Sequence, residues 1–183
     1  MLESARAAIA SYLPDDPRER GFRERMLGLL SLAAPTSRSH FVPGHLTASG
    51  FVLSPERDAV LLIFHKKLQI WIQPGGHIEP TDVSLEAAAR REVAEEVGLT
   101  LPDAAPATVF DLDIHLIPAR KAEPAHEHFD VRFCFVSPTR TFIVNDEVVD
   151  ARWAPLKEIA KLTNDESVLR AVRKLAHFAA TSC

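Results

Sequence analysis

The chain has 183 residues, 46% of them hydrophobic and 25% charged, which is the composition of one ordinary globular domain with some additions. It carries 21 Lys and Arg against 25 Asp and Glu, a formal net charge of −4. That balance argues against a duplex-coating nucleic-acid binder, which needs a basic face. No apolar run is long enough for a membrane span. The two cysteines, Cys134 and Cys183, make neither a disulfide scaffold nor a zinc site. The opening MLESARAAIASYLPDDPRER lacks the basic-then-apolar pattern of a secretion signal, so a cytoplasmic setting is expected.

Residues 2–13 are rich in Ala and Leu and predict a helix, which the Pro14-Asp-Asp-Pro17 run breaks. A second helix is expected over about 18–33, with Phe22, Met26, Leu27, Leu29 and Leu30 near one side. These helices hold too few apolar residues to close a core alone. Residues 1–42 therefore read as a helical extension and 43–183 as the main domain. Residues 46–53 and 59–64 predict two strands joined by the turn 54–58, a hairpin. A short strand at 70–72 leads into Pro74-Gly75-Gly76, read as a turn whose glycines free the backbone to approach a ligand. A helix is expected over 84–97, stopped by Gly98. Alternation over 109–116 places Asp111, Asp113 and His115 on one side of a strand. Further strands are expected at 129–136 and 150–153, a helix opening at Pro155, and a last helix over 166–178.

The stretch GGHIEPTDVSLEAAARREVAEEVGL, residues 75–99, carries the chemistry. A helix advances about 100° per residue, so Glu92, Glu95 and Glu96 fall within an arc of roughly 100°. Three carboxylates that close repel one another unless cations answer them. Arg90 and Arg91 leave the helix at other angles and cannot neutralise all three. Hard divalent cations take oxygen ligands, and Mg²⁺ in particular pairs a carboxylate or two with phosphate oxygens and water. A backbone carbonyl at the glycines could complete such a shell. An acidic triplet alone is usually a solvated face, and Gly-Gly alone is usually a turn. The two at this spacing, with Arg-Glu in the helix, are much rarer by accident.

The same stretch resembles the Nudix box, the signature of the Nudix hydrolase family. That pattern runs Gly, five residues, Glu, seven residues, Arg-Glu, an aliphatic, one residue, Glu-Glu, one residue, Gly, an aliphatic. Residues 91–99, REVAEEVGL, match its second half without a gap, and Gly76 matches its first glycine. The first half departs: Asp82 stands where the family has Glu, and eight residues rather than seven separate it from Arg91, a one-residue insertion before the helix. Asp82 or Ser84 is therefore also a candidate helix cap.

The resemblance implies an α/β/α sandwich around a mixed β-sheet, here with an N-terminal helical extension. It implies a metal-dependent hydrolase that cleaves the diphosphate linkage of a nucleoside diphosphate derivative. Mg²⁺, or Mn²⁺, would be held by Glu92, Glu95 and Glu96 with the Gly76 carbonyl. Arg91 would orient the glutamates, and Glu95 or Glu96 would act as general base. The alternative is a non-catalytic Nudix-fold nucleotide-binding or sensor module, against which the intact Arg-Glu and Glu-Glu pairs speak.

A second polar cluster lies downstream, at Glu123 and from His126 through Asp130. Glu127, His128 or Asp130 could add a metal ligand or base, and Glu147 is a weaker candidate. Alternation puts His126, His128 and Asp130 on one side and Glu127 on the other. A histidine cluster can instead suit a transition metal. Candidate substrate contacts are Lys66, Lys67, His77, Arg120, Lys121 and Arg132, with Trp71 and Phe129 as aromatic platforms. The expected partner is a small nucleotide-type substrate, with no membrane and no nucleic acid, and a homodimer is a reasonable expectation.

Overall fold

The computed structural model describes residues 1–66, 69–102, 107–120, 123–146 and 148–181. Lys67, Lys121, Glu147 and Cys183 lie outside the described residues. The elements in chain order are α1 (Leu2–Ser11), α2 (Pro17–Leu29), β1 (Gly44–Leu53), β2 (Ala59–His65), β3 (Ile70–Ile72), β4 (Gly75–His77), α3 (Leu85–Val97), β5 (Val109–Ile117), β6 (His126–Val136), β7 (Val148–Pro155), a 3₁₀ turn (Leu156–Lys161) and α4 (Glu166–Thr181). They fall into two compact units. One comprises Met1–Ser49, Gly75–Ala89 and Pro106–Phe133; the other comprises Gly50–Pro74, Arg90–Ala105 and Cys134–Cys183.

In the first unit, Asp16 caps α2 by accepting from the Arg18 and Glu19 N–H groups, with Pro17 at the first helical position. Arg23 donates to the Ile9 and Ala10 carbonyls, satisfying the open end of α1. Glu19 is fully buried and accepts from the Tyr12 hydroxyl and from the Leu112 N–H, which ties α2 to β5. Ala5, Ile9, Met26 and Leu29 form the buried faces of the two helices. β5 and β6 pair antiparallel, with Asp111 opposite Arg132, Asp113 opposite Asp130 and His115 opposite His128. The first half of β1 pairs antiparallel with β4, with Thr47 opposite His77, Ala48 opposite Gly76 and Ser49 opposite Gly75.

The Gly75-Gly76 pair is therefore not the turn its sequence suggests, and neither glycine has positive φ. Gly75 is needed for close approach: a Cβ there would lie 2.2 Å from the Ser49 Cβ. Ser84 caps the N-terminus of α3 by accepting from the Ala87 N–H at 3.1 Å. Asp82 instead accepts from the Glu79 N–H at 2.8 Å, closing the preceding turn.

In the second unit, the end of β1 and β2 form the expected antiparallel hairpin. β2 also pairs antiparallel with β3 and β7. Val52, Leu53, Val60, Leu61, Leu62, Val93, Val97 and Leu175 are all fully buried. Gly98 ends α3 with φ +62°, donating back to the Ala94 carbonyl. Pro155 opens a 3₁₀ turn rather than an α-helix.

β1 neighbours β6 in both units. Glu127 N–H donates to the Pro43 carbonyl in one, and Ser137 N–H to the Leu53 carbonyl in the other. The two numbers of each pair rise together, so the strands run parallel. With antiparallel partners elsewhere, the sheet is mixed as expected. Among the described residues, no helix is long and apolar enough to cross a membrane.

Candidate functional site

The glutamate face of α3 forms as its spacing requires. Arg91 Nη1 lies 2.9 Å from a carboxylate oxygen of Glu92 and 2.9 Å from one of Glu95. The Arg91 and Glu92 side chains are largely covered, at 19% and 14% exposure, while Glu95 is 53% exposed and Glu96 is buried. One guanidinium thus bridges two of the three carboxylates. Arg90 points elsewhere, donating to the Pro102 carbonyl at 3.0 Å with its guanidinium 4.6 Å from the centre of the Phe135 ring. Asn145, which the sequence did not single out, donates from its backbone to the Glu96 carbonyl and from its side chain to the Glu95 carbonyl. Ile143 N–H takes the Val97 carbonyl. Residues 143–145 therefore satisfy the open carbonyls at the end of α3 and fix the turn that bears Glu95 and Glu96.

This donor set fits a hard divalent cation. It offers carboxylate oxygens from three side chains within one arc of a helix, two of them held by the Arg91 guanidinium. Gly76 sits in β4 opposite Ala48.

The β5–β6 side of the first unit carries a second polar layer. Arg132, only 2% exposed, contacts Asp111 at 3.2 Å, Asp113 at 3.3 Å and Asp130 at 2.8 Å. Burial alone would lower the Arg132 pKa, but the carboxylates of Asp113, Asp130 and Asp111 outweigh it and raise it. Thr47 and Ser49 donate to Asp130 at 3.1 and 2.8 Å. Arg132 is thus a caged structural cation, not the surface phosphate contact its sequence position suggests. The sequence did signal the cage: Asp111 and Asp113 alternate on one strand, as do Asp130 and Arg132 on the next. Only the register joins them.

Next to this layer, five histidines pack ring to ring. His128 has centroid distances of 4.8 Å to His45, 5.2 Å to His77, 5.2 Å to His126 and 5.6 Å to His115. Burial, followed by the neighbouring His115, His45, His77 and His126, pushes the His128 pKa down to about 2. Burial is also the main cause that lowers His45. His126, His128 and Asp130 share one side, as alternation requires. Glu127 faces the other way and pairs with Arg25.

The remaining candidates separate by exposure. Lys66 and Arg120 are exposed. Phe129 is 1% exposed and belongs to the core, so it is no platform for a base. Trp71 is half-buried, with the Arg152 guanidinium 4.1 Å from its ring centre.

A family model, the NUDIX domain, matches residues 44–175. The NUDIX domain of Shewanella oneidensis NrtR, solved with ADP ribose, is similar at 18% identity and a TM-score of 0.58, over 94% of this chain and 96% of that one. Escherichia coli dihydroneopterin triphosphate pyrophosphohydrolase is similar at 22% identity and a TM-score of 0.55, over 70% of this chain and 92% of that one. An Ap4A hydrolase of C. elegans, in a binary complex, is similar at 18% identity and a TM-score of 0.53, over 74% of this chain and 97% of that one. No curated protein matches the chain. At these identities the structural likeness shows the fold, an α/β/α arrangement with a mixed sheet. The family model, spanning well over half of the sequence, shows the lineage: the chain belongs to the Nudix family.

Proposed function

We propose that the chain is a divalent-metal-dependent hydrolase that cleaves the diphosphate linkage of a nucleoside diphosphate derivative. Family membership supports hydrolase chemistry on nucleotides in general. Similar structures include one solved with ADP ribose and one named for dihydroneopterin triphosphate, both phosphate compounds. The observation that carries the reading is the Arg91 bridge between Glu92 and Glu95, with Glu96 beside them on α3.

In this reading Glu92, Glu95 and Glu96 hold Mg²⁺ or Mn²⁺, with the Gly76 carbonyl as a further ligand. The bound ion would neutralise charge on the phosphate oxygens and make water more acidic. Arg91 is a positioning residue: its two charge-assisted bonds hold Glu92 and Glu95 in fixed rotamers. Glu95 or Glu96 takes the proton of the attacking water. Lys66 and Arg120, both exposed, are the substrate-phosphate contacts with Lys67, and His77, Glu127 and His128 are further substrate-binding residues. Residues 1–42 serve as an extension to a catalytic domain over 43–183. A cytoplasmic homodimer completes the reading.

A substrate panel with Mg²⁺ and Mn²⁺, read by released phosphate or pyrophosphate, tests it. Nucleotide sugars, dinucleoside polyphosphates, oxidised nucleoside triphosphates and capped RNA share the required bond. Turnover of one or more, abolished by chelator, supports the reading. Nucleotide binding without any turnover supports a sensor module instead.

A further inference from the structure

Three strands of the first unit bring imidazoles from distant parts of the sequence onto one face. His45, on β1, shares its side of the strand with Thr47 and Ser49, which bond to Asp130. His77 lies on β4 and His128 on β6. One ring nitrogen from each of His45, His77 and His128 lies within 4.8 Å of the other two.

The His45 ring is fully buried. Its Nδ1 lies 3.2 Å from the His40 carbonyl oxygen, so Nδ1 carries the proton and donates it there. Among the described residues its Nε2 has no hydrogen-bond partner. A buried polar atom left unpaired costs about 1–3 kcal/mol, so such an atom calls for an explanation.

We infer that His45, His77 and His128 form a binding site for one borderline divalent transition ion of the Zn²⁺ class. Neutral imidazole nitrogens suit Zn²⁺, Ni²⁺, Cu²⁺ or Fe²⁺, not Mg²⁺, which prefers oxygen. The Nδ1–H of His45 given to a backbone carbonyl is the arrangement that orients a ligating histidine and leaves its Nε2 lone pair for the metal. His126 supports the cluster from outside, its Nδ1 donating to the Pro124 carbonyl at 2.8 Å and its ring stacked 5.1 Å from His45. Zinc–nitrogen bonds of about 2.0–2.1 Å place tetrahedral ligands roughly 3.4 Å apart, so the rings close inward by about 1 Å on binding.

Charge favours a cation here as well. Asp111, Asp113 and Asp130 lie beside the imidazoles, each within 3.3 Å of Arg132. His115 joins the two groups, with Nδ1 3.1 Å from Asp113 and its ring 5.6 Å from His128. Three protein nitrogens leave one coordination position for water or an anionic oxygen, the pattern of reactive rather than purely structural zinc sites. None of the three residues belongs to the glutamate set, so the inference stands independently of the role given to α3.

The test uses the metal-stripped full chain. Zn²⁺ uptake is followed by calorimetry, and the electronic spectrum is recorded with Co²⁺ as a stand-in. With excess Mg²⁺ present to occupy the α3 carboxylates, we expect one equivalent bound at the histidines and the intense visible bands of a low-coordinate, nitrogen-ligated Co²⁺. His77→Gln and His128→Gln should each weaken binding at least tenfold, while the Glu95→Gln and Glu96→Gln chain still takes up Zn²⁺ like the wild type. Uptake lost in the glutamate variants and kept in the histidine variants would place the ion on α3 and overturn the inference. Should a histidine variant fail to fold by circular dichroism, the wild-type spectrum decides. No uptake, or the weak spectrum of six-coordinate oxygen ligation, contradicts the site.

Discussion

Arg91 and Glu95 stand one helical turn apart on α3, and the guanidinium of the first lies 2.9 Å from the carboxylate of the second while also holding Glu92 at the same distance. An exposed i,i+4 pair contributes only a few tenths of a kcal/mol to a helix. Its importance here is the placement of two carboxylates. Arg91→Ala should therefore lower kcat by about 10- to 100-fold, matching the ~1.5–3 kcal/mol of a charged hydrogen bond, with little change in urea midpoint. Arg91→Lys should recover only part of the loss, because an ammonium lacks the planar fork. Steady-state kinetics at varied Mg²⁺ would check this; unchanged kcat in Arg91→Ala refutes the positioning role.

Arg132 is expected to matter for stability. Removing it leaves Asp111, Asp113 and Asp130 buried without their cation. Arg132→Met should cost about 3–5 kcal/mol by urea denaturation. Arg132→Lys should also be destabilising, since a point charge cannot serve three carboxylates at once. A loss below ~1 kcal/mol in Arg132→Met would mean the cage is not formed as described.

Gly75 tests the pairing of β4 with β1. An added methyl would meet the Ser49 Cβ at 2.2 Å and its Cα at 2.6 Å, the latter on the backbone. Gly75→Ala should destabilise by about 1–3 kcal/mol or more and loosen amide protection at residues 75–77. Hydrogen exchange read residue by residue would detect it, and wild-type protection there would argue against the paired strand.

Cys134 offers a pH-dependent test. Burial pushes its thiol from an ordinary 9.0 up to about 12. Between those values the unfolded chain releases a proton that the folded chain keeps. This group's contribution to stability is therefore intact below pH 9 and falls as pH rises. In a Cys183→Ser chain, where Cys134 is the lone thiol, alkylation by iodoacetamide at pH 9 should be slow until urea unfolds the protein. Rapid labelling of the native protein at that pH would contradict the burial.

Local signals were legible and register was not. The strand at Ile70–Ile72 and the helix ending at Gly98 follow from apolar runs and a stop residue, which act within a few positions. The Arg91-Glu92 and Glu95-Glu96 pairs could likewise be placed on one face by helical geometry alone. β4 could not be foreseen, because Gly75-Gly76 has no strand preference of its own; it becomes a strand only through Ser49 and Thr47 on β1. The Arg132 cage and the meeting of His45 with His77 and His128 depend on the same kind of long-range pairing. His126 and His128 are near neighbours in sequence, whereas His45 joins them only through the pairing of β1 with β6.

The most direct measurement is Mg²⁺-dependent hydrolysis of the substrate found in the panel, compared between the wild type and Glu96→Gln with Mg²⁺ binding followed in parallel. We predict that Glu96→Gln loses about a hundredfold or more in kcat, ~2.7 kcal/mol of barrier, while its folded spectrum is unchanged. Full turnover by that variant would contradict the central claim that the α3 carboxylates carry the chemistry.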